Sequence, residues 1–261
     1  MYSRDKFLNY PAALGAVVFG CFNPIRSLDE RFFLGDQMAM LTTSDLLRRV
    51  PMFSGLTQAQ MSQLSGNVTK RRFKRGQLIV EQGQKSGALF IILSGRARVT
   101  ATDKRAKEVI LNSLGPGDCI GEMSLIDGQS HSASVRTDIQ TDVLVLSHTE
   151  FVRCLADNQS IAFWIMKGLV QRLRKSSDMV SSLALMDVYG RVAKVLLDAA
   201  QPQGDTDAVV CEKMTRQDIA KMVGASREMV SRVMRDFEDQ GFVRTNEQGN
   251  LVVQERRLTP R

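Results

Sequence analysis

The chain has 261 residues, of which 43% are hydrophobic, and its 35 lysines and arginines against 28 acidic residues give a formal net charge of +7. This length and composition support two modest domains or one large domain with a true core, and they exclude a disordered tail or a fibre. The positive charge fits a polyanion partner such as nucleic acid, although charge alone does not identify one.

Residues that ligate metals or act as nucleophiles are few. The four cysteines, Cys21, Cys119, Cys154 and Cys211, lie too far apart for a zinc ribbon, a redox motif or an iron–sulfur cluster, so reduced thiols in a cytoplasmic protein are expected. Two histidines, His131 and His148, leave little for a histidine metal site or a catalytic triad. We therefore expect no metal and no enzyme activity.

The first forty residues differ from the rest of the chain. The apolar run Ala12–Phe22 is about half the ~20 residues that span a bilayer, so no membrane helix is expected. Arg4 and Lys6 precede that run, as in a signal peptide, but no small-residue cleavage site follows it. We predict that residues 1–40 form a poorly ordered extension, with Met38 or Met40 as alternative starts.

Two short helices and a glycine-punctuated β domain are predicted next. Thr43 and Ser44 are candidate caps of the first helix, and a second amphipathic run surrounds Met61 and Leu64. Short alternating or β-branched runs separated by glycines then extend to Leu146, which favours a barrel or roll. The clearest predicted strands are Gln77–Val80, Ala88–Leu93, Ala97–Thr100, Glu108–Leu111 and Thr141–Leu146.

A long helix is predicted from Gln159 to Met186. Its apolar residues recur at steps of three, four and seven, which describes one face of a helix. A near-heptad stripe on so long a helix favours a two-stranded coiled coil and hence a homodimer, and the alternative is a helix packed along the roll of its own chain. The stripe consists of Ile161, Ile165, Leu169, Leu173, Met179, Val180, Leu183 and Met186.

Two capped helices in quick succession follow near the C-terminus. Thr215 is a candidate N-cap with Asp218 three residues later, and Ile219, Met222 and Val223 form the buried side. Gly224 supplies a permissive backbone that ends the first helix, and Ser226 can cap the second. This layout is typical of a helix-turn-helix.

The second helix divides into two faces at 100° per residue. Its predicted apolar arc holds Met229, Val230, Val233, Met234 and Phe237, and its polar arc holds Arg227, Glu228, Ser231, Arg232 and Arg235. A helix that reads DNA needs this division, since arginine forks onto guanine and glutamate accepts from cytosine. The alternative is an ordinary helix with a solvated charged face. A hairpin pattern over residues 241–253 adds a wing and favours the winged helix-turn-helix.

Three segments together resemble the catabolite activator/FNR superfamily of bacterial regulators, from about Leu46 to Val253. They are the glycine-punctuated roll from Phe73 to Gly95, the segment Gly121–Leu125 with Ser132 and Ala133 downstream, and the helix-turn-helix residues 215–232. The resemblance implies an α+β fold with a cyclic-nucleotide-binding-like β-roll, a long dimerisation helix and a C-terminal winged helix-turn-helix. It divides the chain into 1–40, 41–157, 158–186 and 187–261.

The resemblance also implies a nucleotide pocket. Backbone amides near Gly121 would hold phosphate oxygens, Glu122 would accept from a ribose hydroxyl, and Ser132 would donate to the phosphate. His131 stands where cyclic-AMP binders of the family usually have an arginine, and a neutral imidazole is a weaker phosphate partner. The implied ligand is cyclic AMP, and the alternatives are another nucleotide, a cyclic dinucleotide or no ligand. The implied binding residues are Gly121, Glu122, Met123, His131, Ser132, Ala133, Arg172, Ser176 and Ser177.

The resemblance implies that double-stranded DNA with a palindromic site is the main partner. Arg227, Glu228 and Arg232 would read base edges, Thr215 and Gln217 would lie near phosphates, and Ser226 and Ser231 belong to the same surface. RNA polymerase is a further implied partner, no membrane is involved, and the protein would act in the bacterial cytoplasm.

Ligand binding would shift the dimer between two arrangements of its recognition helices, with a hinge near Asp187–Gly190. Two other classes of protein are compatible with parts of the sequence. A nucleotide-binding regulatory subunit without a DNA role would keep the roll and dispense with the helix-turn-helix. An enzyme is suggested only by Gly115, Gly117 and Gly121, whose spacing is one residue too long for a dinucleotide fingerprint.

Overall fold

A computed structural model describes residues 42–203, 207–210, 214–246 and 250–254. The predicted extension at residues 1–40, Cys21, Cys211 and the tip of the predicted wing at residues 247–249 lie outside these ranges.

The described part begins with two short capped helices. Helix α1 spans Thr43–Arg48, a 3-10 turn spans Pro51–Phe53, and helix α2 spans Gln58–Ser65. The N-cap of α1 is Thr42, whose side chain accepts from the backbone N–H of Asp45 in a capping box. The predicted caps Thr43 and Ser44 were therefore placed one or two residues too late, because three hydroxyl residues in a row compete for one capping position.

Eight strands form the roll that was predicted from the glycine pattern. They are β1 (Val68–Phe73), β2 (Leu78–Val80), β3 (Ala88–Ser94), β4 (Ala97–Thr102), β5 (Glu108–Leu114), β6 (Cys119–Ile120), β7 (Ser134–Thr137) and β8 (Thr141–Ser147). A short helix, α3 (Glu122–Asp127), lies between β6 and β7. Strand β1 escaped prediction because its centre, Lys70–Arg72, is exposed and charged, which conceals the apolar ends of the strand.

The strands of the roll form two four-stranded sheets, in the orders β1-β8-β3-β6 and β2-β7-β4-β5. A buried cluster that includes Phe73, Phe90 and Val143 contains side chains from both sheets. Burial of this apolar surface is the main source of the stability of the roll. This arrangement holds the β6–α3 turn and the residues just before β7 on a rigid scaffold.

Two helices follow the roll, α4 (His148–Asp157) and α5 (Gln159–Leu185). The 27 residues of α5 match the predicted long helix. Its N-terminal part packs on the roll, since Ile161 and Ile165 lie in a buried cluster with Leu89 of β3 and Leu144 of β8.

The predicted apolar stripe of α5 merges two different faces. Ile161 and Ile165 are buried against the chain's own roll, whereas Leu173 and Val180 are 68% and 65% exposed. The exposed side follows a strict heptad alternation of three and four residues, which is the spacing of a coiled-coil seam. We call this set the heptad face; it consists of Phe163, Met166, Val170, Leu173, Ser177, Val180 and Ala184. Ser177 and Ala184 conceal the repeat in the sequence because neither is strongly apolar.

Helix α5 ends at Leu185, two residues before the predicted hinge at Asp187–Gly190. Met186 and Asp187 have extended backbones, and Asp187 caps helix α6 (Val188–Ala199) by accepting from the backbone N–H of Gly190 at 2.8 Å. A break of two residues between helices allows a change of direction at small cost, because few backbone hydrogen bonds must be broken.

The C-terminal part combines helices with a third four-stranded sheet, in the order β11-β12-β10-β9. The sheet and helix bounds are β9 (Ala200–Gln203), β10 (Asp207–Val210), α7 (Arg216–Val223), α8 (Arg227–Asp239), β11 (Val243–Thr245) and β12 (Leu251–Gln254). The antiparallel pair β11–β12 confirms the predicted hairpin, with Val243 opposite Val253. The predicted α+β architecture is thereby confirmed.

Candidate nucleotide pocket and nucleic-acid interface

The β6–α3 turn has a backbone that only glycine adopts easily. Gly121 has φ 93°, in the left-handed region, and it is the N-cap residue of α3. A side chain there would also lie 2.9 Å from the carbonyl oxygen of Ala88 and 3.6 Å from Cε1 of His131. Because Gly121 has no side chain, the backbone of the turn beside His131 is not covered at this position. Met123, two residues later, is 48% exposed.

Glu122 and Arg172 form an ion pair between the turn and α5. The guanidinium of Arg172 contacts Oε1 of Glu122 and donates to the carbonyl oxygen of Cys119 at 2.5 Å. Glu122 is only 4% exposed, and its Oε2 is buried without a hydrogen-bond partner among the described residues. Burial raises the pKa of Glu122, and Arg172 opposes that shift. One oxygen of this buried carboxyl group is thus left without a partner among the described residues, which makes it a candidate acceptor for a ligand donor.

His131 is buried beside the β6–α3 turn. The ring is 8% exposed, and Nε2 lies 2.8 Å from Oγ of Ser86. Burial lowers the pKa of His131, so the imidazole is neutral at pH 7. Its backbone is held as well, because its N–H donates to the carbonyl oxygen of Gln84 at 2.8 Å.

The remaining predicted ligand residues lie in different surroundings. Ser132 is exposed and Ala133 half-buried, next to His131. Ser176 is exposed one helical turn after Arg172, on the same side of α5. Ser177 donates to the carbonyl oxygen of Leu173 at 3.0 Å and belongs to the heptad face. Ser176 and Ser177 therefore point along two different faces of α5.

Two residues that contact the surroundings of the β6–α3 turn were not predicted from the sequence. Ser86 is the partner of His131, and Lys85 donates from Nζ to the carbonyl oxygen of Gly128, at 2.6 Å, just beyond α3. Both precede β3 in a polar turn, where no periodicity distinguishes a functional residue from a solvated one.

The helix-turn-helix has the predicted caps. Thr215 and Asp218 form a capping box at the start of α7, and Gly224 ends that helix with φ 68°. The hydroxyl of Ser226 accepts from the backbone N–H of Met229 at 3.1 Å and so begins α8. Because the oxygens of Thr215 and Ser226 are engaged in caps, these two residues position their helices in addition to lying on the predicted surface.

Helix α8 shows the predicted division into two faces. Val230, Val233, Met234 and Phe237 are buried in the core of the C-terminal part. Met229 is only half-buried, which corrects its place in the predicted apolar arc. Met222 on α7 is likewise half-buried, whereas Ala220, which was not predicted, is buried.

The opposite face of α8 carries the predicted base-reading side chains. Arg227, Glu228 and Arg232 are exposed, and Ser231 is half-buried with its hydroxyl donating to the carbonyl oxygen of Arg227 at 2.8 Å. Gln217 on α7 is also exposed. Two long donors and a carboxylate at the first turns of a helix match the chemistry of major-groove recognition.

Within the described ranges, no group of three or more histidine, cysteine or acidic side chains is placed to hold a metal ion. The same residues include no helix that is long and apolar enough to cross a membrane.

A β-roll with an open glycine turn, a long helix that contacts it, and a winged helix-turn-helix together define a class of protein, the ligand-sensing transcription regulators. Comparison with known families agrees with this class. The Cyclic nucleotide-binding domain family matches residues 70–158, and the Crp-like helix-turn-helix domain family matches residues 190–259.

Named relatives extend the agreement over most of the chain. The cAMP-activated global transcriptional regulator CRP of Salmonella typhimurium is 37% identical over 168 residues, which cover 63% of this chain and 80% of the relative. The regulator Vfr of Pseudomonas aeruginosa, described in the same terms, is 34% identical over 189 residues, with 70% and 88% covered. The chain belongs to the CRP/FNR family, and it is a DNA-binding transcription regulator with a cyclic nucleotide-binding domain, as predicted.

Solved structures support the fold independently. The c-di-GMP responsive global regulator CLP of Xanthomonas campestris has a TM-score of 0.64 at 24% identity, with 73% of this chain and 95% of that one covered. FixK2 of Bradyrhizobium japonicum has a TM-score of 0.62 at 21% identity, with 72% and 93% covered.

Proposed function

We propose that this regulator binds palindromic double-stranded DNA as a homodimer and that a cyclic nucleotide, cyclic AMP first among them, controls this binding. The observation that carries the proposal is the exposed row Arg227, Glu228 and Arg232 on a helix whose other face is buried. In this proposal the protein has no catalytic activity, works with RNA polymerase, and acts in the bacterial cytoplasm. Residues 41–157 form the sensing domain, 158–186 the dimerisation helix, 187–261 the DNA-binding domain, and 1–40 an extension.

The pocket residues fit a cyclic nucleotide. The buried Oε2 of Glu122, which has no partner in the described part of the chain, suits a ribose hydroxyl that donates a hydrogen bond. Around it, backbone amides of the Gly121–Met123 turn, with Ser132 and Ala133, suit the phosphate. Arg172 acts through Glu122, which it holds in place. The relatives CRP and Vfr are named as cAMP-activated, and this supports cyclic AMP as the ligand.

The heptad face supports the homodimer. A row of apolar side chains that includes Phe163, Leu173 and Val180 is more than half exposed in a single chain. Exposed apolar rows at this spacing are buried in parallel coiled coils, where each side chain inserts between four of the partner. Ser177 lies in the same row, and the adjacent Ser176 lies on the face of Arg172. We infer that a ligand held near Ser176 reaches the seam between the two subunits.

The prediction for DNA reading concerns Arg227. Replacing Arg227 with alanine should weaken binding to the cognate site by about 1–3 kcal/mol and relax specificity at one base pair, because a forked contact to guanine is lost. Competition gel shifts with the cognate palindrome and its single-base variants measure this. Arg235→Ala removes an exposed arginine about two turns further along α8, beyond the three base-reading residues; it is the matched control and should leave base preference unchanged. An equal loss on all sequences would show that Arg227 contacts a phosphate instead.

The prediction for the ligand is tested by calorimetry of the full chain with cyclic AMP, cyclic GMP and cyclic di-GMP. Cyclic AMP is expected to bind once per chain, and Glu122→Gln should weaken it by about tenfold or more, since a charged acceptor contributes about 1.5–3 kcal/mol. Tighter binding of cyclic di-GMP would show that the proposed ligand is wrong, whereas the proposed binding residues would stand. Absence of heat with every nucleotide would contradict the sensing role.

A further inference from the structure

The turn between β4 and β5 presents three cations on a fixed backbone. Oδ1 of Asp103 accepts from the backbone N–H groups of Arg105 and Lys107, each at 2.8 Å. Ala106 closes the turn with φ 59°, in the left-handed region. Lys104, Arg105 and Lys107 are all exposed. The turn is therefore ordered by its own hydrogen bonds, and it directs positive charge away from the roll.

Two ion pairs hold this edge of the roll against helix α7. Lys221 contacts Glu108, and Arg98 donates to Asp218 at 2.6 Å. The hydrogen bond from Lys221 lowers the pKa of Glu108 despite partial burial. Burial alone would raise the pKa of Asp218, but hydrogen bonds from Thr215 and Arg98 outweigh it and lower the pKa. Both carboxylates are charged at pH 7, so both pairs persist at that pH.

A cleft of about 290 Å³ lies between the turn and the helix-turn-helix. Lys107 and Glu108 line it from the roll, and Gln217, Lys221 and Ala225 line it from the other side. Two ammonium groups against one carboxylate leave a net positive charge there. Gln217 is the residue of α7 that is proposed to contact a phosphate. Ala225 directly precedes Ser226, the N-cap residue of α8.

The contact between the roll and α7 does not cover the face of α8 that carries the predicted base-reading side chains. Arg227, Glu228 and Arg232 are exposed although the roll contacts α7. A duplex whose major groove receives the start of α8 must pass its backbone close to Gln217 and hence close to Lys107. Contacts to phosphates from groups outside the reading helix position a protein on DNA without reading sequence.

We propose that the β4–β5 turn of the roll is part of the DNA interface, with Lys107 beside Gln217 on one backbone phosphate and Lys104 and Arg105 on the adjacent backbone. The proposal rests on the proposed function and extends the DNA-binding surface from the winged helix-turn-helix to the sensing domain. The Arg98–Asp218 and Lys221–Glu108 pairs keep the turn at that position.

The test uses the full-length double variant Lys104→Gln/Lys107→Gln and measures its affinity for duplex DNA over a range of salt concentrations by fluorescence anisotropy. Each lost phosphate contact should reduce the slope of log affinity against log salt by about 0.9. The loss should be the same on the cognate palindrome and on a scrambled duplex. The control Arg48→Gln/Arg49→Gln removes two charges at the C-terminal end of α1, a helix that packs against α2 and the 3-10 turn, and should leave the slope unchanged.

An unchanged slope in the double variant would overturn the proposal. Tighter DNA binding by that variant would overturn it as well, because the turn would then obstruct the duplex. The scrambled duplex makes this test independent of the proposed function, since phosphate contacts are measured there without any sequence preference. If the wild-type protein bound the palindrome no more tightly than the scrambled duplex, the proposed palindromic DNA target would be wrong instead.

Discussion

Leu173→Glu is expected to convert the protein to a monomer. The substitution places a carboxylate at the centre of the heptad face, where the 68% exposed leucine of one chain would meet its counterpart in the other. Burying two like charges without partners costs several kcal/mol, so the dimer dissociation constant should rise by at least about 100-fold. Affinity for the palindrome should fall with it, because two linked half-sites bind far more tightly than one.

Sedimentation equilibrium gives the dissociation constant directly. Gln171→Glu is the matched control, since it introduces the same charge at an exposed position of α5 outside the heptad face. A Leu173→Glu protein that remains dimeric would show that the subunits associate through another surface.

His131→Arg is expected to raise the affinity for cyclic AMP by about 10- to 100-fold. The buried imidazole is neutral, because burial lowers its pKa, whereas an arginine in its place would add a charged hydrogen bond to the phosphate, about 1.5–3 kcal/mol. Calorimetry at pH 7.5 measures the change. An affinity equal to that of wild type would show that residue 131 does not face the phosphate.

The same histidine gives a pH dependence with a defined sign. A bound phosphate favours the protonated ring, so nucleotide binding takes up a proton and the wild-type affinity should rise as the pH falls toward the lowered pKa of His131 in the free protein. The free energy of unfolding moves the opposite way: it decreases as the pH falls from about 6.5, the ordinary pKa of histidine in the unfolded chain, toward the lowered pKa of the folded state. His131→Gln should abolish both effects of this residue while keeping a neutral polar side chain.

Local signals in the sequence predicted the DNA-binding part well. The Thr215 capping box, the left-handed Gly224 and the Ser226 cap each depend on residues within a few positions, so short-range chemistry determines them. The strict two-sidedness of α8 made the burial of Val230 and Phe237 predictable for the same reason.

Contacts between residues far apart in the chain could not be predicted from the sequence. The bond from Arg172 to Glu122 joins residues 50 positions apart, and the pair Arg98–Asp218 joins residues 120 positions apart. The predicted apolar stripe on α5 merged two faces for a related reason. Hydrophobicity alone does not distinguish residues that face the chain's own roll from residues that face solvent in the single chain. The burial of His131 likewise depends on Ser86, which lies in a turn without a periodic pattern.

The most direct test of ligand control is a pair of affinities for one palindromic duplex, measured by fluorescence anisotropy with and without saturating cyclic AMP. We expect the ligand to tighten DNA binding by about 5- to 150-fold, the usual range of coupling between sites. By reciprocity, DNA should tighten cyclic AMP binding by the same factor. Equal DNA affinities in the two conditions would contradict a ligand-controlled regulator.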